Sequence, residues 1–119
     1  MDKILLIIKK HSVRQLYHEL LLDKQYEIIA VDSLAKALCF MIIDNFSSVI
    51  IFSDGENDVE LFLKIRNKRK NWRKIKLVLL TKNNNSYKEV LQKNDKVIVY
   101  NDNNHQRIVQ EVRQGILSQ

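Results

Sequence analysis

The residues best equipped for chemistry follow apolar runs. Val49-Ile50-Ile51-Phe52 leads into Ser53-Asp54, where a reactive carboxylate could accept a transferred group. Leu77-Val78-Leu79-Leu80 delivers the hydroxyl of Thr81, and Ile4-Leu5-Leu6-Ile7-Ile8 runs straight into Lys9-Lys10. These groups can cooperate only if the fold brings the run ends to one edge. Each also has a plainer role: Ser53-Asp54-Gly55 suits a turn, with Asp bonding nearby backbone and Gly relaxing the conformation, and Thr81 can simply end a strand.

The elements that would position them are legible. Candidate strands cover Lys3 to Ile8, Tyr26 to Val31, Ser48 to Phe52, Lys76 to Leu80 and Lys96 to Tyr100. Nearly continuous Ile, Leu and Val in several of them is the pattern of strands covered on both faces. Tyr26 to Val31 is less uniform and is expected nearer an edge. Helical segments fit between the strands, so the pattern predicts a parallel α/β sheet. Ser12 is the expected cap of the first helix, with Val13, Leu16, Tyr17, Leu20 and Leu21 facing inward. Ser33 is the expected cap of the second, whose inner face reads Leu34, Ala37, Leu38, Met41 and Ile42. Asp58 precedes a face of Val59, Phe62 and Ile65. Ser86 to Lys93 is a weaker helix anchored by Val90 and Leu91. The last helix spaces Ile108, Val112 and Ile116 four residues apart, with Gly115 weakening or ending its last turn.

At 119 residues, 45% apolar and 29% charged, the chain is expected to fold as one soluble domain, 1–119. Its short N-terminal apolar run, interrupted by Lys9 and Lys10, suits neither a signal peptide nor a membrane span, so a cytoplasmic location is expected. Cys39 is the single cysteine and reads as a buried packing residue. His11, His18 and His105 have no metal-ligand spacing, and the first loop lacks a glycine-rich phosphate cradle. No cofactor, metal site or enzymatic activity is indicated by these patterns.

In its element order and strand-end residues, the whole chain resembles the receiver domain of two-component response regulators. The resemblance implies a flavodoxin-like, five-stranded parallel sheet with helices on both faces. It also implies a site in which an acidic pair after the first strand helps hold magnesium, an aspartate after the third accepts phosphate, a Thr or Ser after the fourth senses it, and a lysine after the fifth completes it. Carried onto this chain, Asp54 is the candidate acceptor, with Ser53 adjacent, and Thr81 the switch hydroxyl. The acidic pair falls on Ile8-Lys9 or Lys9-Lys10, and the lysine near Tyr100-Asn101. The Asp54 to Asp58 segment is shorter than the family's loop and lacks its proline. A lysine ammonium cannot ligate magnesium, and at about 4 Å from a divalent ion it would be repelled by roughly 8 kcal/mol at an effective dielectric of about 20, an upper scale that solvent would reduce. Lys9 or Lys10 could instead pair with Asp54. The expectation is a pseudo-receiver, acting through a protein partner or as a homodimer. Val90, Leu91, Tyr100 and Ile108 are its candidate signalling surface. A kinase partner belongs to the alternative, in which Asp54 remains an acceptor.

The segment from Lys64 to Lys76 carries eight Lys or Arg and no acid, within a formal net charge of +6. Arg66, Arg69, Lys70 and Arg73 would form one exposed ridge if the third helix continued through them. Trp72 could stack on a base, anchor a protein partner or cover the end of the sheet. A basic, nucleic-acid-associated module is therefore the other alternative.

Overall fold

The computed structural model describes residues 2–53, 58–82, 90–100 and 105–117. Its strands are β1 (Asp2–Ile7), β2 (Tyr26–Val31), β3 (Ser48–Phe52), β4 (Lys76–Thr81) and β5 (Lys96–Val99). They pair in parallel in the order β2-β1-β3-β4-β5. The less uniform strand is indeed at an edge. The described helices are α1 (His11–Leu20), α2 (Leu34–Ile43), α3 (Asp58–Lys68) and α4 (His105–Leu117).

The two-residue period of each strand sends side chains to two separate cores. Leu5, Val49, Ile51, Leu77 and Leu79 pack with Leu34, Ala37 and Met41 of α2 and Val59, Phe62 and Leu63 of α3. Ile4, Leu6, Ile50, Val78 and Leu80 pack on the opposite face with Tyr17 of α1 and Ile108, Val109 and Val112 of α4. Helices therefore cover both faces, and the inner strands are apolar on both sides because neither side meets water.

Several local expectations change. The first helix starts at His11, with Lys10 rather than Ser12 at its N-cap, and the Lys10 side chain makes no cap hydrogen bond. A lysine offers only donors, whereas the first helical N–H groups need an acceptor. Ser33 does cap α2, accepting from the Lys36 N–H at 3.2 Å. The inner face of α2 is narrower than the spacing suggests: Ile42 is 69% exposed and Cys39 is also exposed. Of the helix expected over Ser86 to Lys93, residues 86–89 lie outside the described residues, and Val90 to Lys93 are not helical. Gly115 neither ends α4 nor faces solvent. A Cβ there would meet Lys96 Cδ at 3.1 Å and Val78 Cγ2 at 3.3 Å, so the missing side chain lets the helix lie close to the sheet.

Candidate functional site

In a sheet of this order, the direction of winding reverses between β1 and β3, and the crevice beyond their carboxyl ends is where ligands collect in such folds. Lys9 and Lys10 follow β1 there, both exposed, and Ser53 follows β3. Asp54 lies outside the described residues, as does Asn101. Thr81 ends β4 and is buried beside Ser53 at the same edge.

The loop after β1 is held by a third cation. Arg14 donates from Nη1 to the carbonyls of Ile8 at 2.9 Å and Lys9 at 3.1 Å, and from Nη2 to His11 Nδ1 at 2.9 Å. A guanidinium only donates, so His11 presents a lone pair to it. Lys9, Lys10 and Arg14 thus concentrate positive charge at the β1 corner, and the chemistry of this donor set does not fit a hard cation that requires oxygen ligands. Among the described residues, no group of three His, Cys, Asp or Glu could hold a metal ion.

The other half of the edge is closed by aromatic rings. Tyr100, just after β5, is buried and donates its hydroxyl to the Ser53 carbonyl at 3.2 Å. Its N–H donates to the Thr81 carbonyl at 3.0 Å. The Tyr100 ring packs on Phe52 at 4.8 Å between centroids, and Phe52 meets Tyr17 of α1 at 5.8 Å. His105, opening α4, sits edge-on to Tyr17 at 5.5 Å, with its Nδ1 2.9 Å from the Tyr17 hydroxyl. Burial pushes the Tyr17 phenol up to about 12, because a phenolate there would lose its hydration. Sequence reasoning missed this chain of contacts from α1 through β3 to the end of β5. Its signal was an aromatic residue ending the third and the fifth apolar runs, with a histidine opening the helix that follows the fifth.

The other candidates separate. Ile108 is fully buried and Tyr100 is turned inward, so neither supplies an outward signalling surface. Val90 and Leu91 are partly buried against the core that contains α3. The expected basic ridge also breaks up, because Arg66 is completely buried rather than exposed. Its Nη1 and Nη2 each bond Asp95 at 2.7 Å, and Nη1 also reaches the Ile75 carbonyl at 3.2 Å. Asp95 accepts further from the Leu77 and Gln92 N–H groups. Asn67, just before the last turn ends, carries Arg73 on its carbonyl. Trp72 is 9% exposed in the core beside Ile75, and the Arg69 guanidinium lies 4.6 Å from its ring centroid, so it covers the end of the sheet. Arg69, Lys70 and Arg73 remain exposed.

No family model matches the chain, and no curated protein matches it. Solved structures do match over nearly its whole length. The response regulator TrrA of Thermotoga maritima, in complex with magnesium and beryllofluoride, is 23% identical with a TM-score of 0.72, covering 97% of this chain and 99% of that one. The chemotaxis response regulator CheY4 of Vibrio cholerae is 21% identical with a TM-score of 0.75, covering 98% and 99%. An orphan response regulator of H. pylori is 19% identical with a TM-score of 0.70, covering 97% and 96%. This chain has the receiver fold. Among the described residues of this receiver-fold chain, no helix is long and apolar enough to cross a membrane.

Proposed function

We propose that this receiver-fold chain is a cytoplasmic signalling domain that acts by binding another protein, without magnesium-dependent phosphorylation of Asp54. The observation that carries this reading is the cationic corner after β1, where Arg14 holds a loop bearing Lys9 and Lys10. In this reading a lysine ammonium pairs with Asp54 and supplies the positive charge that a metal would otherwise bring. The site is then set in one state, and the chain presents a fixed surface to its partner or to a second copy of itself. The nucleic-acid alternative is weakened because Trp72 and Arg66 are both inside the protein.

The second reading keeps Asp54 as a phosphoryl acceptor with a kinase as partner. The buried hydroxyl of Thr81 at the end of β4 favours it, and so does the magnesium–beryllofluoride complex of the similar TrrA. An amide NMR titration with magnesium and beryllofluoride separates the two. The expected result is no change at Thr81 or Tyr100 in the native chain. Shifts there that vanish in Asp54→Asn would establish the acceptor reading instead. Exchanging the corner charges by Lys9→Asp with Lys10→Asp is expected to create a magnesium response that the native chain lacks, read as shifts at the same edge.

A further inference from the structure

The opposite end of the sheet has the better-formed surface. The last turn of α2 leaves Ile42 69% and Ile43 77% exposed, beside a cleft of about 240 Å³. Its lining mixes apolar Ile42, Phe46 and Trp72 with polar Asn45, Asn71 and Arg69, the last lying against the Trp72 ring. The cleft is smaller than the roughly 300–1,000 Å³ of small-molecule sites, which suits a single inserted side chain. Its surroundings are strongly basic: Lys68, Arg69, Lys70, Arg73 and Lys74 are exposed, and no acid interrupts the segment. The acid that lines the cleft, Asp44, is neutralised by Lys3, whose ammonium holds its carboxyl below the usual range. A cleft of mixed lining, flanked by exposed isoleucines and beside exposed cations, is complementary to an apolar anchor flanked by carboxylates.

We infer that this cleft docks an acidic peptide segment of a partner protein, seating one large apolar side chain between the end of α2 and Trp72 while its acids meet the Lys68–Lys74 cations. A nucleic acid fits less well: the ring that could stack on a base is buried under Arg69, and the exposed isoleucines would gain nothing from a phosphate backbone. The inference deepens the protein-binding reading and rests on it, yet it concerns a surface distinct from the Lys9–Lys10 corner after β1. The beryllofluoride titration and the peptide experiment can therefore fail separately.

Trp72 is the only tryptophan, so its fluorescence reports this cleft directly. The probes are a 12-residue Asp/Glu-rich peptide with a central Leu-Phe pair, the same peptide with Ser-Ser at the centre, and a 12-mer of thymidylate. The Leu-Phe peptide is expected to change Trp72 emission and to move the amides of residues 41–46 and 69–75. Replacing its apolar pair is expected to weaken binding about tenfold, corresponding to about 1.4 kcal/mol. Ile42→Ser, at an exposed position that leaves the core intact, is expected to weaken the Leu-Phe peptide by a similar factor. Arg73→Glu should weaken both peptides, and Lys10→Ala should weaken neither. Equal affinity for the two peptides, equal or tighter binding of the thymidylate, absence of binding, or shifts confined to the β1 corner would each overturn the inference.

Discussion

Both ends of the sheet expose cations, but the amino end also buries one. At the carboxyl end, Lys9 and Lys10 stand exposed on a loop held by Arg14, while the hydroxyl-bearing Ser53 and Thr81 are buried. At the amino end, Arg66 is removed from water altogether and joined to Asp95, whose carboxylate also receives two backbone N–H groups. The difference teaches that placement on a helix, more than residue type, decides whether a basic residue is surface or core. Arg66 stands three residues after Leu63 and four after Phe62, in the inward stripe of α3. Lys64, one position off that stripe, is exposed and pairs with Glu60 at 3.3 Å.

Removing one partner of the buried pair is the strongest way to break this contrast. Asp95→Ala would leave an uncompensated guanidinium in the core and orphan the Leu77 and Gln92 N–H groups. A loss of about 3–5 kcal/mol is expected in urea unfolding. Replacing both charges by apolar residues, Arg66→Met with Asp95→Leu, is expected to cost distinctly less, because no charge is then stranded. If the double variant is as unstable as the single one, the backbone bonds of Asp95 dominate and not its ion pair.

The aromatic network makes the carboxyl end sensitive to alkali. Burial raises the Tyr17 phenol from 10.0 to about 12, so between these values the unfolded chain has lost a proton that the folded chain retains. Unfolding is therefore favoured by rising pH: this contribution is intact below pH 10 and is lost progressively as pH climbs toward 12. At about 1.4 kcal/mol per unit, the decline attributable to Tyr17 approaches roughly 2.7 kcal/mol. Tyr17→Phe removes this component, and its stability relative to the native chain is expected to improve steadily across that range. Parallel pH profiles would show that the phenol is not burdened by its burial.

How much of this was readable beforehand follows the same logic of stripes and edges. The strands were legible because residues such as Ile50 and Val78 sit between two helix layers, and only continuous apolar sequence satisfies both faces. The edge position of β2 was legible too, through Glu27, which is exposed between buried Tyr26 and Ile28. The Thr81 position was found for the same reason: it ends an unambiguous strand. By contrast, the inward Arg66 was hidden by its basic neighbours, and its partner Asp95 lies 29 positions away. The Phe52–Tyr100 packing was hidden because it depends on parallel strands separated by β4 in the sheet. Ile42 looked internal because it continues the helical spacing of Ala37, Leu38 and Met41, although α2 ends at Ile43 where the cleft begins.

Two helix starts at the same edge provide a smaller, cleaner contrast. Ser33 supplies the acceptor that α2 requires, and Ser33→Ala is expected to cost about 1 kcal/mol in thermal or urea unfolding. Lys10 supplies none to α1, and as the N-cap residue it puts a cation at the positive end of that helix.

Lys10→Ser therefore reverses the usual sign of a substitution at a functional candidate. A serine hydroxyl could accept from the early N–H groups of α1, and the unfavourable charge at the helix start would be gone. A gain of about 0.5–1 kcal/mol is expected, the smallest of these effects. If that gain appears, Lys10 is a cation kept against the interest of the fold, consistent with a lysine of this corner being retained to pair with Asp54. If stability falls instead, the ammonium already has a stabilising role at this corner that outweighs an absent cap, and the position is structural.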